Sequence, residues 1–454
     1  VTTPSGSPGH PRAGDVPVAG TRRLPGLPSS TWAPLTALAA VGAVLGYLVK
    51  APCRFGGGWV DGTQYAAACY SDVYPLYFRD GLDHGVVPYL DRPIEYPVLT
   101  GALMHLLGRA VAWLPDPTAR AYAYFDLTAV AMGACLAAVV LCAGHLAGRG
   151  GLRPAPGRPF DRRAALLAGG FTALTPPAFL AAYINWDLLA VALLMGGLVC
   201  YGHGRQWAAG ALIGLATAAK FYPFLVFGPL LVLVLRTWWR REEDGHTWGD
   251  LLRPLGGAAA AWAAVNLPVL LAAPEGWATF FRFSSERGAD WGSVYYLLGA
   301  FGLVDTYDVH VVNTAGTVSL AVACAGIGLL TLLARRRPPL EQLAFLVVAA
   351  FLLTNKVWSP QFVLWLLPLA AVAWPRRAPV WAGAAAFAFW QLAETVYFFG
   401  IWQHLQHFTL LAEGTAGGLA LPGYAAVSLG RSAGVAAVAG VVAADLLRRG
   451  ESRA

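Results

Sequence analysis

Apolar runs of about 17 to 25 residues recur from Trp32 to Leu447, and a helix of that length crosses a hydrocarbon core of about 30 Å. Lipid offers no water to a backbone amide or carbonyl, so a chain built from such runs must close its hydrogen bonds within helices. The composition agrees, because 57% of the 454 residues are hydrophobic and only 13% are charged, against about 25% charged in a soluble domain. The predicted fold is therefore an all-α integral membrane protein. A net charge of +7 would point to nucleic acid in a soluble chain. Here the arginines gather in short connections, "RTWWRR", "ARRRP", "PRRAP" and "LLRRG", where they set membrane topology, and no nucleic-acid partner is expected.

Arg22 and Arg23 precede the first run, about 32–49, which predicts a cytoplasmic N-terminus. The segment Tyr96 to Pro115 contains His105 and Arg109 and is flanked by prolines. Counting it as a span would place the arginine-rich "GRGGLRPAPGRPFDRR" outside, so it reads as an amphipathic helix on the outer leaflet. The next span is then Tyr124 to Gly148, and the later runs bring the count to about twelve, with both termini cytoplasmic. Residues 1–31, rich in Pro, Gly and Ser, read as a disordered cytoplasmic tail, residues 32–447 as one transmembrane domain and 448–454 as a second tail. No cleavable signal peptide is visible. A valine start and only three lysines among 32 basic residues point to a high-GC bacterial gene and hence a plasma membrane.

With this topology the outer face carries three large segments, about 50–121, 275–315 and 399–423, and three helix breaks, "YINWD", "AKFYP" and "TNKVWSP". All three lysines, Lys50, Lys220 and Lys356, lie on that side. Lys50, at the end of its span, reads as snorkelling to the interface. Lys220 and Lys356, each just before a proline break, suit an anion arriving along the membrane surface, because lysine near lipid is costly unless it has a function. The loop "FFRFSSERGADWGSVYYLLG" adds Arg282 and Arg287 as forked phosphate donors and Trp291 as a flat face for a sugar ring. Glu394 is a further candidate near the last outer segment. His404 and His407 have metal-ligand spacing without a third ligand. No divalent metal or other cofactor is supported by a motif, and no Gly-rich nucleotide loop is present. Cys53 and Cys69 share the first outer loop, where a disulfide is expected if that loop is extracytoplasmic.

The first outer loop also offers Asp61, Asp72, Asp80, Asp83, Asp91 and Glu95. Most of these read as solvated charges in a Gly/Pro stretch. Asp72 stands apart in "YSDVYPLYF", among rings able to exclude water, a setting that suits a general base.

The stretches "YSDVYPLYFRDGLDHGVVPYLDRPIEYPVLTGAL", "GLATAAKFYP", "FSSERGADWGSVYYLLG" and "NKVWSPQFVLWLLPL" resemble the GT-C class of membrane glycosyltransferases, and more narrowly glycosyltransferase family 87, which includes polyprenol-phosphate-mannose-dependent mannosyltransferases. The resemblance runs over roughly residues 32–447. It implies a GT-C fold with juxtamembrane helices in the first loop and a polyprenyl-phosphate sugar donor, the sugar being a hexose with mannose as the first expectation among the epimers. It further implies inversion at the anomeric carbon, and with the outer-face topology above the expected reaction is transfer to a hydroxyl of a glycolipid or cell-envelope glycan at an extracytoplasmic site, the acceptor itself being left open by the sequence. By motif position it casts Asp72 as base, Lys220 and Lys356 as phosphate contacts, Tyr96 as the tyrosine of the tyrosine–proline pair, and Asp187 as a second acid. The rival expectation is a twelve-span transporter or lipid-linked sugar flippase, which would concentrate coupling charges near the bilayer midplane.

Overall fold

The computed structural model describes residues 28–448; most of the N-terminal tail and nearly all of the C-terminal one lie outside the described residues. Within them the chain is helical, with one isolated bridge between Pro88 and Arg92 and no strand. Seven helices have the length and apolarity to cross a membrane: Ser29–Phe55, Pro117–Arg149, Tyr222–Arg240, Trp248–Ala272, Val309–Leu333, Val380–Ala412 and Leu421–Leu447. One of the two longest, Pro117–Arg149, begins where Asp116 accepts a hydrogen bond from the Ala119 amide and Pro117 takes the first helical position. It packs against Ser29–Phe55, Arg162–Leu174 and Asp187–Gly202 and is the spine of the N-terminal half.

Five of the twelve predicted spans fall on shorter helices: Asp187–Gly202, Gln206–Ala219, Leu340–Thr354 and Pro360–Val372, and for the span at about 164–183 the pair Arg162–Leu174 and Pro176–Ala181. Val363–Val372 is apolar all round with every side chain buried, and Leu340–Thr354, apolar beyond Glu341 and Gln342 as far as Thr354, buries most of its own, as expected of helices enclosed by protein. Val309–Leu333 is the opposite case, burying only Val312 and Thr331, which leaves its surface for lipid. Gln206–Ala219 lies closely against Trp248–Ala272: a Cβ on Gly210 or Gly214 would collide with the Pro254 or Ala258 carbonyl. Small residues thus allow the two backbones to approach.

Val98–Val111 has 14 residues, a rise of about 21 Å, and is too short to cross alone. It packs beside Pro117–Arg149 and Gln206–Ala219 and against the short helices of the first loop. The fold's second characteristic is its set of breaks. Helices stop at Ala181, Ala219 and Thr354 and resume at Asp187, Tyr222 and Pro360, leaving three irregular turns, of which the first accepts the Asp72 amide on the Ile184 carbonyl. Pro360 accounts for one of the interruptions, since proline disfavours a helical residue before it and Ser359 is extended. A Cys53–Cys69 disulfide ties the first long helix to the loop just ahead of Asp72, and the Trp59 indole donates to the Cys69 carbonyl at 2.7 Å.

Candidate active site

Asp72 stands at the start of the short helix Val73–Arg79. Its amide donates to the Ile184 carbonyl at 2.7 Å, and the Ser71 hydroxyl donates to Tyr183 at 2.8 Å, so the loop is stitched to the break after Ala181. The half-buried carboxylate accepts a 2.7 Å hydrogen bond from Tyr70 on Oδ1 and a long one, 3.4 Å, from Tyr96 on Oδ2. Burial pushes its pKa up to about 6, opposed by the Tyr70 hydrogen bond and the Lys220 charge and reinforced by Glu95 and Asp187. The Tyr70 hydroxyl is held well above its usual pKa, first by the charge of Asp72, and that of Tyr96 first by burial. Both therefore remain donors at neutral pH. Tyr70 stacks on Trp402 with ring centroids 4.5 Å apart. An oriented carboxylate titrating near 6 is mostly ionised at neutral pH and is suited to accept a proton.

Beneath this loop lies Lys50. Expected to snorkel, it is instead completely buried, with Nζ donating to the Tyr70 carbonyl at 2.7 Å and to Leu180 at 3.4 Å. Packing of the first loop over the helix end removes the water that snorkelling needs. Lys50 thus joins the loop bearing Asp72 to the helix that ends at Ala181.

Next to Tyr96 is a cavity of about 350 Å³ lined by Glu95, Tyr96, Lys220, Arg287, Lys356 and Trp365, with Phe280, Phe281 and Phe283 along one wall. Lys220 Nζ meets Asp187 Oδ1 at 3.0 Å and lies 5.3 to 5.9 Å from the ring centroids of Tyr96, Phe362 and Trp365. The other Asp187 oxygen accepts from Trp365 Nε1 at 3.0 Å. Asp187 therefore sits behind Lys220 and orients it. Lys356 Nζ donates to the carbonyls of Arg287 at 2.5 Å and Ser285 at 3.2 Å, using two of its three N–H donors. Arg287 is paired with Asp290 at 2.9 Å. Three cations from separate parts of the chain thus face one cavity.

The structure draws Tyr96, Lys220, Arg287 and Lys356 together and brings Asp72 to their edge through Tyr96. It does not bring the other candidates into the cavity. Arg282 is exposed and donates to the Glu275 carbonyl and Thr279. Trp291 packs with Tyr296, His404 and Phe408. Glu394 is buried against Arg431 at 3.0 Å, and Arg431 also donates to the carbonyls of Trp358 and Ser359. That pair holds the "WSP" break in place, so Glu394 anchors the fold where a substrate contact was expected. His404 uses both ring nitrogens, on Tyr296 and the Leu419 carbonyl, and His407 Nδ1 meets the Gly417 carbonyl.

Two acids of the first loop also depart from expectation. Asp80 is buried and binds Arg79 at 2.7 Å, and Glu95 lines the cavity. Their setting depends on Arg79, which lies between them, and only the fold reveals it.

No curated protein matches the chain. Among solved structures, ArnT from Cupriavidus metallidurans bound to undecaprenyl phosphate is similar at 16% identity and a TM-score of 0.45, covering 92% of this chain and 78% of that one. The apo oligosaccharyltransferase of Archaeoglobus fulgidus is similar at 13% identity and a TM-score of 0.40, covering 90% of this chain and 56% of that one. The family model of glycosyltransferase family 87 matches residues 95–360, a range that contains the whole cationic group and begins after Asp72. A match over more than half of the chain shows that it belongs to glycosyltransferase family 87.

Proposed function

We propose that this glycosyltransferase transfers a hexose, mannose, from a polyprenyl-phosphate donor to a hydroxyl of a glycolipid or cell-envelope glycan at the outer face of a bacterial plasma membrane, with inversion. The observation that carries the reading is the polarity of the cavity. Lys220, Arg287 and Lys356 supply positive charge, phenylalanines form an apolar wall, and the Tyr96 hydroxyl leads to the Asp72 carboxylate. A lipid phosphate needs such cations beside an apolar surface, and an acceptor hydroxyl needs a base.

In this mechanism Asp72 takes the proton of the acceptor hydroxyl as its oxygen forms a bond to the anomeric carbon. The bond from that carbon to the phosphate oxygen breaks on the opposite face, which inverts the centre. Its electron pair leaves with polyprenyl phosphate, whose growing charge Lys356 and Arg287 neutralise. Tyr70 and Tyr96 hold the carboxylate in place. The donor arrives already activated, so no nucleotide is consumed. Family membership favours this enzyme over the transporter or flippase alternative.

The test is to incubate the purified protein with labelled polyprenyl-phosphate mannose, glucose and galactose and a membrane lipid extract, and to identify the product. Transfer from the mannose donor with inverted configuration supports the reading; release of sugar from none of the three refutes it.

A further inference from the structure

Sugar hydroxyls need acceptors, and the cavity has few. Among the described residues its lining holds a single carboxylate, Glu95. Glu95 Oε1 meets Arg79 Nη1 at 3.2 Å. Arg79 is fixed in turn by the buried Asp80, with Nε on Oδ1 at 2.7 Å and Nη2 on Oδ2 at 3.2 Å. Glu95 Oε2 has no partner among the described residues. The next residue is Tyr96, whose hydroxyl reaches Asp72, so Glu95 lies on the base side of the cavity and shares its lining with the cations.

A bare carboxylate there would repel the phosphate needed nearby. Arg79, which it shares with Asp80, offsets part of its charge through Oε1 and leaves Oε2 open to a hydroxyl. A charge-compensated carboxylate of this kind accepts strong hydrogen bonds from hydroxyl groups and is not required as the base, a role that Asp72 fills. The buried Asp80 binds Arg79 through both of its oxygens, which presets the acceptor direction although Arg79 itself is half-exposed.

We propose that Glu95 accepts a hydrogen bond from a hydroxyl of the donor hexose and thereby determines which sugar is transferred, with Arg79 as its positioning residue. This rests on the donor reading above and deepens it. A site built to bond a hydroxyl discriminates strongly against a sugar lacking it, because the site's own polar group is then left unpaired.

The experiment compares kcat/KM for polyprenyl-phosphate mannose and its 2-, 3-, 4- and 6-deoxy forms in the wild type and in Glu95→Gln, with melting followed on the same samples. The expected result is that the wild type rejects one deoxy donor about 10- to 100-fold or more, the factor for one hydrogen bond to a charged group. Glu95→Gln should reduce use of the parent sugar by a similar factor and leave that one deoxy donor nearly unchanged. A uniform fall across all donors, or no change for any, would overturn the inference and leave the donor reading intact. Equal use of all deoxy donors by the wild type would overturn it without any variant. Failure of the wild type to use every polyprenyl-phosphate sugar would remove this inference together with the donor reading.

Discussion

Lys220 and Asp187 meet at 3.0 Å across two helix breaks, with the Asp187 carboxylate almost fully enclosed. Removing the lysine leaves a buried carboxylate without its cation, a change that costs about 3–5 kcal/mol in comparable pairs. Lys220→Met should therefore lower the melting temperature as well as donor use. The double variant Lys220→Met with Asp187→Asn should recover most of the stability and none of the donor use. Lys356, whose ammonium hydrogen-bonds two carbonyls and no carboxylate among the described residues, should behave differently: Lys356→Met should raise the donor KM with a smaller loss of stability. Melting curves and donor titrations on the four proteins decide this, and equal melting of Lys220→Met and wild type would contradict it.

Lys50 holds the Tyr70 carbonyl at 2.7 Å, and the Tyr70 hydroxyl holds Asp72. Lys50→Met leaves two buried carbonyls without this donor and frees the loop that aims the base. A misplacement of about 1 Å costs on the order of 10²-fold in rate. The expected outcome is a fall in kcat of about 10- to 100-fold with donor KM little changed, measured by steady-state transfer.

The disulfide closes a loop with a sequence separation of 16 residues, and in a chain-entropy account a loop near this size is worth about 3 kcal/mol. Replacing Cys53 and Cys69 together by alanine should lower the melting temperature and reduce kcat, since the bridge ends three residues before Asp72. An unaltered melting curve would show that packing of Trp59 against Phe125 and Tyr74 suffices to hold the loop.

How far the sequence reveals this arrangement depends on whether a residue's setting is local. Asp72 is legible because one of the rings that hold it, Tyr70, is its own neighbour, whereas Tyr96 comes from farther along the chain. Lys220 and Lys356 are legible because a lysine before a proline break in an apolar run is locally anomalous. Glu95, Asp80 and Lys50 are not, because their burial comes from Arg79 or from the loop packed above, neither of which periodicity reports. Arg282 and Trp291 share a loop with Arg287 but do not line the cavity, and chain order does not separate them from it. Glu394 and Arg431 are an instructive miss: two opposite charges in the last two apolar runs are a readable hint of mutual pairing. The helical architecture followed from apolar run length alone, whereas span number is obscured where short helices are enclosed by others.

The central claim, that Asp72 is the base, is tested most directly by Asp72→Asn, with transfer and melting measured on one preparation across pH 5 to 8. The folded-state pKa of Asp72 is raised to about 6 from 3.8, so between those values the native protein binds more protons than the unfolded chain. Stability from this group consequently falls as pH rises through that window, and ionising the carboxylate is a cost above it. The asparagine variant does not bear that cost and keeps an oxygen for Tyr70, so it should melt at or above the wild-type temperature at pH 8. Wild-type kcat/KM should decline below about pH 6 as the base protonates, whereas the variant should lose about 10²- to 10⁴-fold in rate and lack that acid limb. An Asp72→Asn protein that transfers sugar at the wild-type rate would contradict the account, as would one whose lost activity merely follows a lowered melting temperature.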